Sequence, residues 1–192
     1  WGIEEMAVKQ KVALHLWWPG QGLSIHADNK SGKSIDEQVK DRNKTVYELD
    51  EFFNQAEGYI QSKANSPQNK TDFNPSWEAM TPFVSGKMPI IIHADEKRQI
   101  ISALNWAEKR KYNIIISGGM DAWKIADRIA SRNVPVIFRH VFTAPPQANL
   151  PFDTHFRAPG ILAKAGVELS IGLRLGAWSA ANQRNLPYYA AQ

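Results

Sequence analysis

The stretch that decides the fold is Pro89-Ile90-Ile91-Ile92-His93-Ala94-Asp95-Glu96. Three β-branched residues in a row favour an extended chain. They do not alternate with polar residues, so the strand they form is covered on both faces. At His93 the apolar run stops and two acids follow. His93 is thus either a ligand placed at a strand end or a polar residue bonded to neighbouring backbone where the strand meets water. Asp95 and Glu96 either assist it or cap the helix that comes next, where acids favour the N-terminus.

Downstream the same rhythm repeats. Residues 96–111 place Ile100, Leu104 and Ala107 on one helical face, and NIIISGG (113–119) is a second buried strand. Asp121 to Ser131 reads as a second helix and VPVIFRHVF (134–142) as a third strand. The stretch APPQANLPFDTHFRAPG (144–160) reads as a long loop, with Pro159 starting the helix ILAKAG, since proline suits a first turn. VELSIGL (167–173) is a fourth strand, and NLPYYAAQ begins a further helix. Apolar strands separated by helices predict a parallel sheet between helices, with right-handed crossovers. A complete eight-fold barrel takes about 250 residues, and four units are half of one.

Before residue 88 the chain is more polar and irregular. Residues 8–18 read as a strand, closed by Pro19 and the glycines at 20 and 22. Residues 19–45 read as a loop. Residues 46–62 then place Val46, Leu49, Phe53, Ala56 and Ile60 at helical spacing. Trp77, Met80 and Phe83 predict one more short helix. The fold class is therefore α/β: a partial TIM-type (β/α)8 barrel of about four parallel β/α units, preceded by a strand and a helical insertion. The division falls between residues 1–87 and 88–192.

Composition narrows the function. Lys and Arg are interspersed with acids, and the net charge is only +4, so no basic stripe marks a nucleic-acid surface. There is no cysteine, which removes thiolate metal sites and disulfides. No apolar run reaches the ~18 residues needed to cross a bilayer, so a soluble setting, cytoplasmic or periplasmic, is expected. The chain opens on Trp1 rather than Met and is expected to be a piece of a longer protein.

PIIIHADEKRQIISALNWAEKRKYNIIISGGMDAWKIADRIASRNVPVI resembles the second half of the amidohydrolase superfamily barrel, nearest to the imidazolonepropionase-like amidohydrolases. LPFDTHFRAPGILAKAGVELSI, NQRNLPYYAA and WGIEEMAVKQKVALHL agree in the same order, and residues 88–192 resemble strands 5–8. The resemblance implies a metal-dependent hydrolase of C–N (amide or cyclic amide) bonds. Its zinc would lower the pKa of a bound water to about 7, and a carboxylate would move the proton to the leaving nitrogen. The family's ligands are a His-x-His pair after the first strand, a His after the fifth, a His after the sixth and an Asp after the eighth.

The carry-over is uneven. His93 matches the fifth-strand ligand. Ser117, Gly118 and Gly119 stand where the sixth-strand His belongs, and no Asp lies beyond Asp153. No two histidines are two apart, so the His-x-His pair would have to precede Trp1. The metal site is therefore expected to be incomplete in this chain, with no metal held at the family position.

Other candidates are Asp95, His140 and His155, which could converge on His93, and Arg184-Asn185 after the last strand. Alternation lets only one of Arg139 and His140 point into the barrel. The SGG turn could cradle an anion at a helix start, or be a tight connection. His15 and His26 carry no recognisable spacing. Two functions remain open: an amidohydrolase fragment with a reduced site, and a catalytically inactive amidohydrolase-fold module that binds a small molecule or a partner protein. Half a barrel exposes a sheet edge and inner apolar faces, so association with a missing N-terminal half or with another copy is expected.

Overall fold

A computed structural model of the chain describes residues 12–20, 32–65, 73–145 and 148–172. Strand β1 (Leu14–Trp17) is followed by helices α1 (Ile35–Asn65) and α2 (Pro75–Val84). Then come β2 (Ile90–Ala94), α3 (Lys97–Arg110), β3 (Ile114–Gly118), a 3₁₀ turn at Ala122–Ile125, α4 (Ala126–Ala130), β4 (Val136–Phe138), α5 (Thr154–Lys164) and β5 (Leu169–Ile171). The five strands form one sheet in the order β1-β2-β3-β4-β5, and every pair is parallel. Sequential parallel strands linked by helices are the arrangement of a (β/α)8 barrel segment. The strand from the first segment thus lies beside β2 and extends the sheet.

The isoleucine run is split between two faces. Ile90, Ile92 and Ala94 are buried, while Ile91 and His93 are half-buried. The first set lies in the core with Ile100, Ala103 and Leu104 of α3. Each fully buried Ile contributes roughly 1.5–3 kcal/mol relative to exposure. The second set faces the inner side, in a row that the register aligns as Trp17, His93, Ser117, Ile137 and Ser170.

Helix α1 begins at Ile35, so residues 35–45 are helical rather than loop, and the helix runs beyond the expected 46–62. The reason is a capping box. Ser34 Oγ accepts from the Glu37 amide at 3.3 Å, and the Glu37 carboxylate accepts from the Ser34 amide at 2.8 Å. Phe53 and Ala56 are the buried residues of this helix. The Phe53 ring meets Trp106 edge-on at 5.0 Å, and Arg110 reaches back to Asp50 (2.8 Å), Asn54 (2.8 Å) and Glu57 (3.2 Å). Helix α2 is capped by Asn74, whose side chain accepts from the amides of Ser76 and Trp77.

Two further expectations are corrected. The segment 121–131 is a 3₁₀ turn followed by a five-residue α-helix, not one continuous helix. The expected loop 144–160 contains the start of α5 at Thr154, and Pro159 sits inside that helix rather than in its first turn. A buried proline there removes one backbone bond, while Ala158 and Leu162 beside it are fully buried. Among the described residues no helix is long and apolar enough to cross a membrane.

Candidate functional site

The C-terminal ends of β1, β2 and β4 bring together residues far apart in sequence. Trp18 donates its amide to the His93 carbonyl at 3.1 Å, and its own carbonyl accepts from Gln99 at 2.6 Å. Gln99 also accepts from the Asp95 amide at 2.8 Å, and with Glu96 it forms the capping box of α3. Glu96 is therefore the cap, and Asp95 is released for another contact.

Two polar clusters result. The first lies on the inner face. His93 stacks on Trp17, with ring centroids 4.4 Å apart and an 11° tilt. Nε2 of His93 lies 2.9 Å from Nδ1 of His15, and Nη1 of Arg139 lies 3.4 Å from Nδ1 of His93. A guanidinium only donates, so Nδ1 of His93 accepts. The neutral ring then carries its proton on Nε2 and donates to His15, whose own proton sits on its Nε2. Burial first, then electrostatic repulsion from His15 and Arg139, hold the His93 pKa below its ordinary 6.5, against the pull of Asp95.

The second cluster begins at Asp95. Its Oδ1 accepts from Nε2 of His140 at 2.7 Å, and Nδ1 of His140 meets the Thr143 hydroxyl at 3.3 Å. Burial works to raise the Asp95 pKa, but the bond and charge of His140 and the Met120 amide outweigh it, so the carboxyl lies below its ordinary 3.8. Gly118 and Gly119 both have positive φ. The Gly119 amide donates to the Ala94 carbonyl at 2.9 Å. The turn is thus a tight strand connection that leaves room for the Asp95 carboxylate.

The sequence candidates separate accordingly. Arg139, next to His140, takes the place beside His93, while His140 turns to Asp95. His155 is in α5 rather than in a loop, 1% exposed, with Nδ1 donating to the Thr143 carbonyl at 2.6 Å. It is fixed beside His140 (centroids 6.2 Å apart) and away from His93. Arg184 and Asn185 lie outside the described residues. His15 was missed by sequence reasoning, because its relation to His93 arises only from the β1–β2 register. A concavity of about 600 Å³ lies away from both clusters, lined by Trp123, Leu150, Arg157 and Lys164 among others.

A divalent cation does not fit His93 as it is arranged. A metal-bound histidine normally donates its second N–H to an acceptor. Here that second nitrogen meets a guanidinium, which is a donor and a cation. Metal on Nε2 would move the ring proton to Nδ1 and set N–H against N–H. Among the described residues, no group of three or more His, Asp or Glu side chains converges as a ligand set.

No protein-family model and no curated protein matches the sequence. Among solved structures, the chain is similar to the crystal structure of an amidohydrolase from Thermotoga maritima MSB8, at a TM-score of 0.68 and 22% identity. The match covers 88% of this chain and 43% of that one, so this chain spans less than half of that protein's length.

Proposed function

We propose that the chain belongs to an amidohydrolase-fold protein whose inner-face cluster binds a small molecule, without a metal at His93. The observation that carries this reading is the Arg139–His93 contact, which assigns the second imidazole nitrogen to a cation. Barrel enzymes place their sites at the C-terminal strand ends, where this cluster lies. The test is a zinc titration followed by histidine side-chain nitrogen NMR. The expected result is a His93 ring that keeps its proton on Nε2, with no stoichiometric zinc. One zinc per chain, lost in His93→Ala, would overturn the reading.

A second reading, a metal-dependent hydrolase of C–N bonds, has one observation in its favour. Two nitrogens on a tetrahedral zinc with bonds of ~2.0–2.1 Å sit about 3.3 Å apart. The His15 and His93 nitrogens are 2.9 Å apart, close to that spacing. This reading requires Arg139 to leave Nδ1 of His93. It therefore expects Arg139→Met to raise zinc affinity, whereas the binding-module reading expects no zinc site in that variant either.

A further inference from the structure

We infer that the ligand of this cluster is a carboxylate carried on a flat ring, gripped by Arg139 and His15 against the Trp17–His93 stack. The inference rests on the small-molecule-binding reading above.

Charge comes first. Arg110 and Arg132 are each met by carboxylates, Asp50 and Glu57 for one and Glu108 for the other. Arg139 is also half-buried, yet among the described residues no carboxylate lies within ion-pair distance of it. Asp95 is close enough for its charge to be felt, but its Oδ1 is committed to His140. The single hydrogen bond of the Arg139 guanidinium to a described group uses Nη1 and goes to a neutral ring. Among the described residues the fork's other donors meet no partner, which suits a two-point grip on a carboxylate, the geometry that arginine provides and lysine does not.

The backbone and stem of Arg139 are held in place. Past the end of β4 the Arg139 amide still bonds the Gly118 carbonyl at 3.1 Å, which keeps the residue in line with the sheet. On the next strand, a Cβ at Gly172 would come within 3.3 Å of the Arg139 Cγ and 3.1 Å of the Ile137 Cγ2. The missing side chain leaves a bed for the arginine stem.

The third element is the flat wall. Trp17 is 71% exposed although it lies on a sheet face, and it is held parallel to His93. An exposed indole fixed in place is a surface for stacking a planar ring. In the same register row, Ser117 lies one strand beyond His93. The tautomer fixed by Arg139 leaves the His15 Nε2–H as an additional donor.

The experiment titrates the 192-residue chain with benzoate and with benzamide, which share a ring but not a charge. Arginine Nε–H and tryptophan indole NMR signals report the site, and near-UV dichroism checks the fold of each variant. Benzoate is expected to shift the Arg139 and Trp17 signals, and to bind about tenfold tighter than benzamide. Arg139→Gln should remove that preference, and Arg139→Lys should restore part of it. Equal binding of the two probes, or unchanged benzoate binding in folded Arg139→Gln, would overturn the carboxylate inference while leaving a binding site. Binding of neither probe would overturn it as well. Failure of the underlying reading is separate: it appears as stoichiometric zinc on His93.

Discussion

A side chain at Gly118 would place its Cβ 2.3 Å from Oδ1 of Asp95, the oxygen that His140 holds at 2.7 Å. Gly118 also has φ of +105°, a backbone region that L residues rarely adopt. Gly118→Ala should therefore destabilise the chain by on the order of 3 kcal/mol, combining backbone strain with a displaced carboxylate. In an Asp95→Ala background the clash with the carboxylate disappears and only the closer approach to the Ala94 carbonyl (3.3 Å) remains, so the same substitution should cost only about 1–2 kcal/mol. Urea unfolding of the four proteins in a double-mutant cycle measures the difference. An additive cycle would show that the glycine is not there to admit the Asp95 carboxylate.

Arg110 fastens α1 to α3. Its side chain is 11% exposed and bonds Asp50, Asn54 and Glu57, while the Trp106 indole N–H donates to Asp50 at 2.7 Å. Removing the guanidinium leaves partly buried carboxylates without their cation. We expect Arg110→Ala to cost about 2–3 kcal/mol, below the range for fully buried pairs because both acids retain some water. Arg110→Lys should recover less than half of that, since a compact ammonium lacks the flat, wide fork that reaches Asp50, Asn54 and Glu57 together. A fall in urea midpoint at constant slope is the expected readout, and a midpoint unchanged in Arg110→Ala would refute the role.

How much of this was legible beforehand differs by element. The isoleucine runs at 90–92 and 114–116 were readable as parallel strands from their unbroken apolar run, although Ile91 and Ile115 on the second face are only half-buried. The likeness to an amidohydrolase of known structure agrees with that fold. The start of α1 was misread as loop because its first turns, Ile35 to Lys44, are mostly polar. The signal that could have found it was Ser34-x-x-Glu37, a capping pattern. The site was less legible. His93 stood out by its place at a strand end. Its neighbours His15 and Arg139 are 78 and 46 residues away, and only strand register brings them together. Composition and spacing carry no information about register between distant strands. His155 illustrates the converse: a histidine in a proline-flanked stretch read as loop proved to be a buried residue of α5.

Phe53 joins α1 to the Trp106–Tyr112 pair, with ring centroids 5.0 and 5.5 Å away. It is 1% exposed, whereas Phe73 is 74% exposed. Phe53→Ala should therefore cost about 3–5 kcal/mol. Phe73→Ala should stay within about 0.5 kcal/mol of the parent. Thermal and urea unfolding of both variants test the contrast. A small effect at Phe53 would mean that α1 is not docked on α3 as described.

His93 makes the fold sensitive to acid. Its folded pKa is depressed below 6.5, first by burial and then by His15 and Arg139. Between that lowered value and 6.5 the unfolded chain binds a proton that the folded chain refuses, so stability rises with pH across this window. The contribution is fully present above 6.5. It declines as pH falls and is lost once pH has dropped through the folded value. Arg139→Gln removes the guanidinium charge that lowers it, so the His93 pKa should move up towards 6.5 and the acid-side loss should shrink. The opposite sign is expected for Asp95→Asn, because Asp95 pulls the His93 pKa upward: there the window should widen. Histidine carbon-proton NMR titrations of the parent and the two variants give the folded values directly. Urea midpoints collected at several pH values give the matching stabilities. A His93 that titrates at or above 6.5 in the parent chain would contradict the arrangement in which Arg139 donates to Nδ1, since a protonated ring has no lone pair there to accept it.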